Sequence, residues 1–97
     1  MYWIIRHKDS GQIYSCKLIN GYDMEYYGVK NWDDRDAAEA EMPSFLKSLG
    51  ESDPGEWTLY EIEEMPLKML NVKLNNNPTK RVFIDGQGKT EARFKNS

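Results

Sequence analysis

Ninety-seven residues with a mass of 11.4 kDa, 39% of them hydrophobic and 30% charged, suffice for one hydrophobic core and leave no room for a second. The chain therefore reads as a single domain over 1–97, and its lone cysteine, Cys16, excludes both an internal disulfide and a four-cysteine zinc site. A formal net charge of −3 is too modest for a nucleic-acid coat protein or a disordered acidic tail.

Tyr2 to Lys8 and Ile13 to Ile19 are rich in aromatic and β-branched residues and flank Asp9-Ser10-Gly11-Gln12, which predicts an N-terminal β-hairpin. Paired positions in that hairpin sum to 21, so His7 is expected opposite Tyr14 and Ile5 opposite Cys16. One face then carries Trp3, Ile5, His7, Tyr14, Cys16 and Leu18. A second turn at Asn20-Gly21-Tyr22-Asp23 leads to a third strand within Met24 to Lys30.

Asp33 to Leu49 is a predicted helix, because Ala38, Met42, Phe45, Leu46 and Leu49 recur as one apolar stripe. Asp33 is placed to cap its first turn and Gly50 to stop its last, while Pro43 falls on the outer face, where a kink is expected. Trp57 to Met65 alternates as a strand that Pro66 ends. Leu70, Val72 and Leu74 then alternate with Met69, Asn71 and Lys73 as a further strand. After the polar loop Asn75 to Lys80, Arg81 to Asp85 and a ribbon running to Lys95 flank the turn Asp85-Gly86-Gln87-Gly88. The order β-β-β-α-β-β-β describes an α+β domain, a mainly antiparallel sheet of about five or six strands with one helix packed on one face.

Met1-Tyr2-Trp3-Ile4-Ile5 meets Arg6 at once, too short an apolar run for a signal peptide, and no stretch approaches the length of a membrane span. Together with cysteine usage this places the protein in the cytoplasm, with no membrane as partner. The one Asn-x-Thr triplet, Asn77-Pro78-Thr79, carries the forbidden proline, so glycosylation gives no argument for export.

Catalytic motifs are incomplete. Gly88-Lys89-Thr90 ends like a phosphate-cradling loop, but Phe83 stands where the first glycine is required and too few residues follow to build the helix. His7 and Cys16 are each unique and lie diagonally across one face of the expected hairpin, yet no third group orients the histidine. The carboxylates around Asp33 and Glu61 lack metal-ligand spacing. The expectation is a protein that is not an enzyme and uses no cofactor or metal.

Charge is distributed unevenly. Residues 1–66 carry six basic and fourteen acidic side chains, whereas residues 67–97 carry seven basic and two acidic ones. Tyr22, Tyr26, Tyr27 and Trp32 crowd the approach to the helix, and exposed tyrosine and tryptophan are favoured interface anchors. This composition suggests a small acidic protein-binding module, an inhibitor or accessory protein presenting carboxylates to a basic partner. Its contacts are expected at Tyr22, Tyr26, Trp32, Asp36, Glu39, Glu61 and Glu63. The alternative is a nucleic-acid binder using the basic terminal ribbon, through Lys80, Arg81, Lys89, Arg93 and Lys95 interleaved with Phe83 and Phe94. Self-association into a homodimer through an edge strand is a further option.

Overall fold

The structure is a computed structural model that describes residues 1–48 and 54–94. It is an α+β fold. Seven strands, β1 (Tyr2–His7), β2 (Gln12–Ile13), β3 (Ser15–Ile19), β4 (Glu25–Val29), β5 (Trp57–Ile62), β6 (Lys80–Ile84) and β7 (Thr90–Phe94), accompany two helices, α1 (Arg35–Ser48) and α2 (Glu64–Leu74). Five strands form an antiparallel sheet in the order β5-β1-β2-β6-β7, and β3 pairs with β4 in a separate two-stranded sheet.

Alternation along the central strand assigns the two faces. Ile4 packs with Ile13, Ile62, Val82 and Ile84 beneath Leu67, Leu70 and Leu74 of α2. Ile5 faces the other way, with Tyr14, Trp32 and Trp57 beneath Ala38 and Leu46 of α1. The sheet is thus sandwiched between helices rather than covered on one face. No residue of this second cluster comes from β6 or β7, so among the described residues the α1 side of that hairpin is not covered by the core.

The extra helix replaces the strand expected around Leu70 to Leu74. Leu67, Leu70 and Leu74 follow helical spacing, and Pro66 lies in the first turn, where its missing N–H costs no hydrogen bond. The helix stops where Asn75 adopts a left-handed conformation and its N–H donates to Asn71 O. The first helix begins one residue later than a cap at Asp33 implies. Asp34 is the capping residue: its Oδ1 accepts from Asp36 N–H and its carbonyl from Ala38 N–H. Helix α1 runs unbroken through Pro43, whose side chain is exposed. Leu49 and Gly50 lie outside the described residues.

The N-terminal hairpin also differs in register. Arg6 pairs with Ile13, so paired positions sum to 19 and Tyr14, not Cys16, lies beside Ile5. The loop is Lys8 to Gly11, closed by Gly11 N–H donating to His7 O, with Gly11 at φ 77°. A shift of two preserves which side chains share a face but shortens the pairing. At Tyr14 the chain changes sheets: its N–H donates to Ile5 O in the large sheet, and its carbonyl accepts from Lys30 N–H at the base of the small one.

Candidate functional site

The expected acidic contacts fall at one end of the large sheet. Trp3 pairs with Glu61 on one side and forms a bridge with Trp32 on the other, so the three stand in a row across the strands. Asp33, Asp34 and Asp36 follow Trp32 into α1, and Glu63 follows β5. Arg35 lies over the Trp3 ring at 5.2 Å and pairs with Glu39 at 3.1 Å. Asp36, Glu39, Glu61 and Glu63 are all exposed, and Asp36, Glu61 and Glu63 join no ion pair among the described residues.

Trp32 does not reach this surface. It is 7% exposed, its indole N–H donates to Glu41 Oε2 at 3.0 Å, and Phe45 packs edge-on against it. The helix stripe recruits it into the core, with its polar tip turned to a rim carboxylate. Lys30 covers the same rings, 5.1 Å from Trp32 and 5.2 Å from Phe45.

Tyr22 and Tyr26 belong to the β3–β4 hairpin, away from the acidic end. Its turn is braced by Asn20, whose Oδ1 accepts from Tyr22 N–H at 2.8 Å and Met24 N–H at 3.1 Å. Asn20 N–H in turn donates to Met24 O, and Asp23 takes the left-handed conformation the turn requires. On this fixed frame Tyr22 is 87% exposed, with Ile19 and Met24 largely exposed beside it and Tyr26 further down the strand. Ile19 and Met24 escape a reading that counts only aromatic residues. Apolar side chains on either side of a strong turn signal were the available clue.

The basic ribbon is divided by the pleat of β6 and β7. Lys80 turns to the α2 side, over the Phe94 ring at 5.3 Å, whereas Arg81 and Arg93 stand directly opposite one another on the open face. The Arg93 guanidinium stacks 4.3 Å from the Phe83 ring centre and bonds Glu91 at 3.0 Å, which holds the Glu91 carboxyl below its usual range. Lys89 closes the hairpin turn, its N–H donating to Asp85 Oδ1, and is exposed. Lys95 lies outside the described residues.

The His7 and Cys16 pair is not assembled. His7 lines up with Gln12, and Cys16 lies four residues further along the chain, roughly 13 Å at the rise of a strand. Cys16 pairs with Gly28, and burial pushes its thiol pKa up, against thiolate formation. His7 instead packs edge-on to Trp57 at 5.0 Å and accepts from Ser10 N–H. Thr90 opens a strand, so Lys89-Thr90 does not lead into a phosphate-binding helix. Among the described residues no group of three or more His, Cys, Asp or Glu is placed to hold a metal. The cleft at the seam between the sheets, lined by Gln12, Tyr14, Ser15, Tyr27 and Arg81, measures about 70 Å³, far below the size of a metabolite site. No described helix is long and apolar enough to cross a membrane.

Comparison with protein-family models, curated proteins and solved structures finds no match to this chain.

Proposed function

We propose that this chain is a non-catalytic protein-binding module of the cytoplasm, an inhibitor or accessory protein. The braced β3–β4 hairpin is its anchor and the acidic end of the sheet selects for a basic partner. The observation that carries this reading is the exposure of Tyr22 on a turn whose conformation Asn20 already fixes. A turn backbone held ready before binding need not be ordered on contact, and an aromatic ring contributes much buried area per rotatable bond. The uncommitted carboxylates Asp36, Glu61 and Glu63 add long-range attraction that salt screens.

The test is capture of partners from the native host with the wild-type chain, followed by affinity measurement with variants. Tyr22→Ala is expected to weaken the captured complex by about thirtyfold, as loss of a hot-spot residue does. Combined Asp36→Asn, Glu61→Gln and Glu63→Gln is expected to slow association and flatten its salt dependence. A complex indifferent to both sets of changes would refute this reading.

A homodimer is supported by one further observation. Met65, Met69 and Val72 form an exposed stripe on α2, opposite its buried Leu67, Leu70 and Leu74. A helix apolar on both sides is normally covered on both. Sedimentation is expected to show a concentration-dependent dimer that Met69→Glu abolishes; a wild-type monomer throughout the micromolar range contradicts it.

A further inference from the structure

We infer that the open half of the large sheet, centred on Phe83, binds single-stranded nucleic acid. The site is separate from the hairpin and the acidic end, and does not depend on the protein-binding reading. Three observations meet there. The face of β6 and β7 that carries Phe83 contributes nothing to the cluster under α1, so a half-buried aromatic ring is left on an uncovered sheet. Arg81 and Arg93 stand directly opposite on that face, and because Glu91 pairs with Arg93 the Arg81 charge is the one left for an external anion. Arg81 enters no ion pair among the described residues, and the Arg93 guanidinium carbon lies over the Phe83 ring, 4.3 Å from its centre.

These groups match the two parts of a nucleotide chain. The Arg81 guanidinium supplies a forked donor for a phosphate. The Phe83 ring and the Arg93 guanidinium against it offer a surface on which an unpaired base can stack. A duplex hides its base faces, so a site whose contact is a ring available for stacking favours an unpaired strand. The strand therefore runs along β6 and β7, on the half of the face away from α1, with Glu91 held by Arg93.

The experiment is fluorescence anisotropy of a labelled thymidine oligonucleotide of about twelve nucleotides, at about 20 mM salt. The full chain is titrated to about 100 µM, with a duplex of equal length and polyglutamate as parallel probes. The wild type is expected to bind the single strand in the micromolar range and both other probes at least about tenfold more weakly. Phe83→Leu, which keeps the site apolar, is expected to lose about five- to tenfold, the contribution of base stacking. Arg81→Gln is expected to lower the slope of log affinity against log salt by about 0.7, one phosphate contact. Lys68→Gln, on the exposed side of α2, is expected to leave binding unchanged. Circular dichroism and thermal melting of each variant establish that it is folded. Absence of binding by the wild type overturns the inference, as does polyglutamate bound as tightly as the oligonucleotide, or a folded Phe83→Leu with wild-type affinity.

Discussion

Asn71 bonds in two directions at once: its Oδ1 accepts from Val29 N–H at 3.0 Å and its Nδ2 donates to Leu67 O at 3.3 Å. One amide thereby fastens α2 to β4 and satisfies a backbone donor on a fully buried residue. Asn71→Leu strands that donor. A loss of about 1–3 kcal/mol is expected, read as a lower urea midpoint. At the other end of the molecule Asp85 Oδ1 accepts from both Gln87 N–H and Lys89 N–H, which holds its carboxyl pKa below the usual value. A carboxyl more acidic in the folded than in the unfolded state adds stability above its unfolded pKa and loses it as pH falls through the folded one. Asp85→Asn keeps the acceptor without the charge. Its stability is expected to lie below wild type at neutral pH and to converge with it under acid, in unfolding curves recorded across the carboxylate range. At this scale the exposed carboxylates Asp36 and Glu39 are legible from spacing alone, because the start and outer face of a helix dictate their direction, whereas Glu61 shares its side of β5 with Trp57 and Leu59 and Glu63 lies beyond the strand. Trp32 was not, because its burial depends on Phe45 and Glu41, distant in sequence until α1 folds back.

Legibility at the level of elements followed the number of faces each element buries. Strand β5 and helix α1 each show one clean period in the sequence, and the structure realises both, although β5 ends at Ile62 and the expected strand's last residues, Glu64 and Met65, open α2. Helix α2 defeats that reading because Met65, Met69 and Val72 on its outer side fill the gaps between Leu67, Leu70 and Leu74. Apolar residues on both sides blur a 3.6-residue period into something close to alternation. Pro66 deepens the ambiguity, since a proline stops a strand and starts a helix equally well. The N-terminal hairpin was read on the correct face but out by two in register. Side-chain alternation fixes the face, whereas only the loop, with Gly11 at positive φ, fixes which residues are paired.

Across the whole molecule, the uneven charge of the sequence becomes a division of surfaces. Asp36, Glu39, Glu61 and Glu63 lie about the Trp3 end of the sheet and α1, while Arg81, Lys89 and Arg93 occupy the β6–β7 hairpin at the opposite flank. The two proposed partners therefore have room to bind together. The strand order carries a different implication, for synthesis. Strand β1 is the first made, and its long partner β5 follows 50 to 60 residues later, as the pairs His7 with Trp57 and Tyr2 with Ile62 show. At about 5–20 residues per second, Trp3, Ile4 and Ile5 leave the ribosome several seconds before the strand that buries them exists. The most apolar strand of the fold thus waits longest for its partner, a natural handle for a chaperone, and the large sheet is complete only once β7 has also been made.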